Sequence, residues 1–180
     1  MPTSQQLPHV IAFLLLLARL GDVGSTYLIS PQLKLEANPI VRRFRWPFAG
    51  LTVLLAAIPY YSLPVGIAFL IVSLLVCASN CSRMWFVRTM GESQYYALII
   101  EMARRAPLGL GIIFCLLSPL CMLMIGGVIL MFYPDPHRDW AYYFGIGFLL
   151  YAFAIGTYGT LAFLRYRRAG IALARVATPP

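Results

Sequence analysis

The chain has 180 residues, of which 61% are hydrophobic and only 11% charged, whereas a soluble domain carries about 25% charged residues. That balance excludes a separate soluble enzyme domain and predicts a single all-α polytopic transmembrane bundle over residues 1–180. The net charge of +8 comes from short arginine clusters between apolar runs, so it reads as a membrane-topology signal and not as a nucleic-acid-binding face.

The first apolar run, residues 8–29, has no Lys or Arg ahead of it. A secretory signal begins with a basic stretch, so this run reads as a retained first span. Within it Arg19, Asp22, Ser25 or Thr26, and Ile29 recur at helical spacing, which gathers the polar groups on one stripe. A charge at the bilayer centre costs roughly 2.5 to 3.5 kcal/mol, and Arg19 and Asp22, one turn apart, can partly neutralise each other. The stripe is therefore expected to face the bundle interior.

After the span comes SPQLKLEANPIVRRFRW, residues 30–46. Pro31 stops the helix, and the Asn38-Pro39 pair favours a turn that opens a short helix, with Asn38 as its N-cap and Pro39 at its first position. Such a loop can fold back and set Glu36 and Asn38 against the Asp22 stripe. Arg42, Arg43 and Arg45 lie beside it, suited to an anionic lipid headgroup.

Residues 47–80 form one long apolar run, about 51 Å as a single helix against about 30 Å of hydrocarbon. Its middle reads IPYYSLP, with Pro59 and Pro64 enclosing two tyrosines and a serine. That suits an interfacial turn and splits the run into spans at 47–60 and 63–82. Residues 84–106 then read as an amphipathic interfacial helix on the cytoplasmic surface, with Tyr95, Leu98, Ile99 and Met102 on its apolar face. Two further spans follow at 107–133 and 141–164. The first contains Pro119 and Gly126-Gly127, which predict a kink. The second carries Gly145, Ala152 and Gly156 as a small-residue stripe for close helix approach, within the chain or between two copies.

Five spans put Lys34, Arg42, Arg43, Arg45, Arg83, Arg88, Arg104, Arg105, Arg165, Arg167, Arg168 and Arg175 on one side and only Arg138 on the other. The positive-inside rule then predicts an outside N-terminus and a cytoplasmic C-terminus. The opposite loop, YPDPHRDW, is bordered by Tyr133, Trp140, Tyr142 and Tyr143 as an aromatic belt. Its His137, Asp135 and Asp139 are too close in sequence to converge well on a metal. Cys77, Cys81, Cys115 and Cys121 lie in apolar segments without C-x-x-C spacing and read as buried thiols. No metal or cofactor is expected.

Asp22, Ser25 and Thr26, followed by Glu36, Asn38 and Pro39, spell D-x-x-[ST]-T and E-x-N-P. This pattern resembles that of a poorly characterised prokaryotic family of small polytopic membrane proteins, over about residues 10–82. The resemblance implies a multi-pass protein of a prokaryotic plasma (inner) membrane, and implies no reaction. The family more often has threonine where this chain has Ser25.

The leading functional reading is a structural, assembly or accessory subunit. In it, Asp22, Ser25, Thr26, Glu36 and Asn38 form a hydrogen-bonded knot at the cytoplasmic mouth of the bundle, and the partners are membrane lipids, another protein or a second copy. The alternative is that Arg19, Asp22, Ser25, Thr26, Glu36 and Asn38 bind or transport a cation or a lipid headgroup, since their oxygens are hard ligands. A third reading, an intramembrane enzyme acting on lipids with Asp22 and Glu36 as acid and base, lacks any supporting hydrolase, zinc-protease or nucleotide-binding motif.

Overall fold

The computed structural model describes residues 6–136 and 140–177; Arg138 and the His137 and Asp139 of the aromatic-bordered loop lie outside them. The chain folds as an all-α bundle: α1 (Leu7–Ile29), α2 (Pro39–Leu51), a 3₁₀ segment (Thr52–Ala57), α3 (Ile58–Tyr61), α4 (Leu63–Met90), α5 (Glu92–Arg105), α6 (Leu108–Phe132) and α7 (Trp140–Ala177). Helices α1, α4, α6 and α7 are long and apolar enough to cross a membrane. Their outward faces carry exposed Phe13, Leu17, Ile113, Phe114, Met124 and Phe153, a surface suited to lipid and not to water. Of the four thiols expected to be buried, Cys77 and Cys115 are half-buried, whereas Cys81 and Cys121 are exposed on the outward faces of α4 and α6.

The expected second span, 47–60, is not a continuous helix. Pro47 lacks an amide hydrogen and its ring crowds the preceding turn. The chain breaks two residues earlier at Arg45, with φ 59° and ψ −153°, and after Leu51 tightens into the 3₁₀ segment. The broken segment nevertheless runs back along α1. Trp46 packs on Tyr27 with ring centroids 5.2 Å apart, Arg19 reaches Thr52, and Tyr60 meets His9 at 5.3 Å. Each residue of a 3₁₀ helix rises about 2.0 Å against 1.5 Å in an α-helix, so fewer residues cover the same depth.

Pro59 then seats against Gly66, where an added Cβ would lie 2.6 Å from the proline ring, and the chain turns into α4. Helix α4 runs parallel to α1, in contact at Leu15, Ala18 and Leu70. Helix α7 runs parallel to α4, with Gly147 against Ile71 and the Tyr151 hydroxyl donating to the Leu75 carbonyl at 3.3 Å. Helix α6 is antiparallel to α7. The small-residue stripe serves this contact: a Cβ on Gly126 would lie 2.9 Å from the Gly145 carbonyl, and one on Gly156 would lie 3.3 Å from Pro119, while Ala152 is buried. Close backbone approach of this kind supplies packing where helix association has no hydrophobic driving force. Helix α7 also runs on past residue 164, the expected end of the last span, to Ala177.

The interfacial helix differs from expectation. Residues 84–90 continue α4, and the break falls at Gly91, whose φ of 81° is costly for any other residue. In α5 the packed face is Tyr96, Ile99, Ile100 and Ala103, set against Ala162, Phe163 and Tyr166 of α7. Leu98 and Met102 are exposed on the other edge. The helical period holds, but its phase is one residue off, because two apolar edges compete on the same helix.

Candidate functional site

The polar residues of α1 and its following loop resolve into three groups. Deepest is Arg19, whose guanidinium donates to Asp22 Oδ2 at 2.6 Å, to Ser73 Oγ at 3.5 Å and to Thr52 Oγ1. The two hydroxyls are themselves anchored, Thr52 donating to the Ala49 carbonyl at 2.6 Å and Ser73 to that of Phe69 at 2.8 Å. Asp22 and Ser73 are buried. Arg19 thus ties α1, the broken segment and α4 together in the bundle interior, where its charge is matched by one carboxylate.

One turn further along, Asn80 Nδ2 donates to Ser25 Oγ at 3.2 Å and Thr26 Oγ1 at 3.0 Å, while Ser25 donates to the Asp22 carbonyl at 3.0 Å. One amide group on α4 therefore engages both hydroxyls of the D-x-x-[ST]-T pattern.

The third group is the loop over residues 30–38. A partly buried loop must place its backbone donors and acceptors with partners, and here the two kinds go to opposite charges. The Glu92 carboxylate accepts from the Ser30 hydroxyl, from Gln32 N at 3.3 Å and from Lys34 N at 3.1 Å. The Arg165 guanidinium donates to the Glu36 carbonyl at 3.0 Å and the Lys34 carbonyl at 3.4 Å, and Tyr166 donates to the Leu35 carbonyl at 3.3 Å. Arg165 also lies 4.5 Å over the Tyr166 ring, a cation–π contact that helps fix its direction.

Glu36 and Asn38 act locally. Glu36 Oε1 accepts from Asn38 N at 2.7 Å, and Asn38 Oδ1 accepts from Ile40 N at 2.9 Å, so Asn38 caps α2 with Pro39 at its start. Partial burial pushes the Glu36 carboxyl above its ordinary range, with the nearby Asp22 charge adding to the effect and the Asn38 amide and Arg42 opposing it. Glu36 is therefore near Asp22 electrostatically, while the two carboxylates keep separate hydrogen-bond partners. Arg42, Arg43 and Arg45 are exposed on α2.

Sequence reasoning did not find Thr52, Ser73, Asn80, Glu92, Arg165 or Tyr166 as members of this network. Thr52 and Ser73 are single polar residues in apolar runs, and such a residue in a membrane segment is itself a signal, whereas Asn80 lies beside Ser79, Ser82 and Arg83 at the polar end of its run. Glu92, beside Gly91 at a helix start, and Arg165 have the sequence context of surface charges.

Fold and site together define a polytopic membrane bundle with a polar interior column and a strongly cationic end. Comparison with protein-family models, curated proteins and solved structures finds no match to this chain.

Proposed function

We propose that this protein is a structural, assembly or accessory component of its membrane, in which the polar cluster holds the bundle and its first loop in one arrangement. The observation that carries this reading is that each of the side chains a ligand would need already has a partner within the protein. Asp22 is paired with Arg19, Ser25 and Thr26 with Asn80, and Glu36 and Asn38 with the backbone of their own turn. Interhelical hydrogen bonds of this kind act as glue between spans.

The bundle is oriented with its N-terminus outside and its C-terminus in the cytoplasm. Support comes from the arginines of α2, α5 and the end of α7, which gather where the 30–38 loop packs on α5 and α7. The resemblance through Asp22, Ser25, Thr26, Glu36, Asn38 and Pro39 supports a prokaryotic plasma membrane. The partner is then another membrane protein or a second copy.

Thermal unfolding in mild detergent tests the reading, comparing the wild type with Asp22→Asn across Na⁺, K⁺, Mg²⁺ and Ca²⁺. The expected result is a lower transition for Asp22→Asn and no specific response of either protein to any cation. A cation that stabilises the wild type by mass action, and loses that effect in Asp22→Asn, would replace the structural role with a binding site.

A further inference from the structure

Away from the polar column, α5 and α7 form an open, shallow recess of about 320 Å³ lined by Arg104, Arg167, Ile171, Ala174 and Arg175. We propose that this recess binds the phosphate of an anionic membrane phospholipid.

Its geometry follows from Gly170. A Cβ there would lie 2.9 Å from Arg104 Cβ and 3.0 Å from the Ile100 carbonyl, so a residue without a side chain lets the last turn of α5 seat directly on α7. That contact sets Arg104 beside the α7 face on which Arg167, Ile171 and Arg175 follow one another at four-residue steps. The carbonyls at the C-terminus of α5 would repel an anion, but Arg167 offsets them: its Nη1 donates to Ala103 O at 3.2 Å, to Arg104 O at 3.4 Å and to the adjoining Ala106 O. The acidic group of this part of α5 is Glu101, shared by Arg104 and Arg105, each at 2.6 Å. Glu101 offsets one of those two charges, and Arg168 and Arg175 add exposed positive charge on α7. The local balance is strongly cationic, and guanidinium groups match phosphate oxygens in geometry as well as charge.

A lipid is the favoured source of that phosphate. Ile171 gives the lining an apolar border, and the recess lies at the end of α7, a helix long and apolar enough to cross a membrane. A free phosphate has no use for such a border, whereas a headgroup brings apolar chain with it.

The test titrates the full-length protein in mild detergent with phosphatidylglycerol, phosphatidylcholine or inorganic phosphate, scoring bound lipid by native mass spectrometry and stability by thermal unfolding. The double variant Arg104→Gln/Arg175→Gln keeps the Arg167 cap, and Arg42→Gln/Arg43→Gln removes the same charge from α2. We expect phosphatidylglycerol binding to weaken roughly ten-fold in the first double and less than about two-fold in the second, with phosphatidylcholine unchanged. Should the first double fail to fold, Arg175→Gln alone, at an exposed position, is expected to weaken binding several-fold, and its failure to do so would count against the site. Equal losses in both doubles, or no loss in either, would overturn it. Stabilisation by inorganic phosphate without any response to phosphatidylglycerol would overturn the lipid assignment.

Discussion

Arg19 lies one helical turn before Asp22 on α1 and closes a 2.6 Å ion pair with it, while its other guanidinium nitrogen reaches Thr52 in the broken segment. The carboxylate therefore neutralises the cation that anchors that segment. Removing one partner of a buried pair leaves an uncompensated charge, at a cost of about 3 to 5 kcal/mol. Asp22→Asn is expected to lower the thermal transition in detergent well below that of the wild type. The double variant Arg19→Met/Asp22→Leu, which removes both charges at similar volume, should regain most of the loss. Equal melting of Asp22→Asn and wild type would show that the pair carries no structural weight.

The Asn80 amide tests the second group. Its two hydrogen bonds to Ser25 and Thr26 cross from α4 to α1, and interhelical bonds of this type contribute about 1 kcal/mol. Asn80→Ala should therefore destabilise by about that amount, less than Asp22→Asn. Ser82→Ala is the matched control, because Ser82 is exposed and donates within α4, to Ser79 O at 2.9 Å. Chemical unfolding of both variants separates interhelical glue from a general loss of polarity.

The first loop depends on residues far from it in sequence. Glu92 collects its donors and Arg165 its acceptors. Glu92→Gln keeps one carbonyl oxygen but loses the charge and the second acceptor, and charge-assisted hydrogen bonds contribute about 1.5 to 3 kcal/mol each. The loop should open locally while the main thermal transition moves little. Lys34 is the chain's single lysine, so a lysine-specific protease reads this opening directly and should cut Glu92→Gln faster than the wild type. Unchanged cleavage would mean that the loop is held by other contacts.

Much of this architecture was legible because hydrophobic length is a strong signal in a membrane chain. The boundaries of α1 and α6, the turn at Pro59 to Pro64 and the capping role of Asn38 all follow from local rules. Arg19 and Asp22 were paired by their spacing alone. What escaped was long-range. Nothing within α1 indicates that Asn80 would meet Ser25, or that Glu92 and Arg165 would divide the polar groups of one loop between them. Helix phase was the other gap, since the apolar edges of α5 differ by one residue and only the packing against Tyr166 decides which is buried. The break in the segment after α1 was marked by Pro47, whose effect on Arg45 depends on the backbone path around it.

Glu36 provides a pH signature. Partial burial raises its carboxyl above the ordinary value of 4.5, so the folded protein binds this proton more tightly than the unfolded chain. The associated stability is present below about pH 4.5 and is lost as pH rises through the raised value. Glu36→Gln keeps an oxygen for the Asn38 amide and removes the charge. Relative to this variant, the wild type should lose stability as pH rises from about 4.5 towards neutrality, with no further divergence above. A constant difference across that range, measured by thermal unfolding, would contradict a raised carboxyl.

The broken segment decides whether the chain crosses the membrane four times or five. Tyr60 meets His9 near the start of α1, and Trp46 meets Tyr27 near its end, so residues 46–60 travel the depth of that helix in the opposite direction. Ser62 should then emerge on the N-terminal side of the membrane, and Lys34 on the other. With Cys77, Cys81, Cys115 and Cys121 replaced by alanine, a membrane-impermeant maleimide applied from the N-terminal side should label Ser62→Cys and leave Lys34→Cys unmodified until the membrane is opened. Labelling of both cysteines from one side would contradict the parallel packing of α1 on α4, which requires the residues between two crossing helices to return across the membrane.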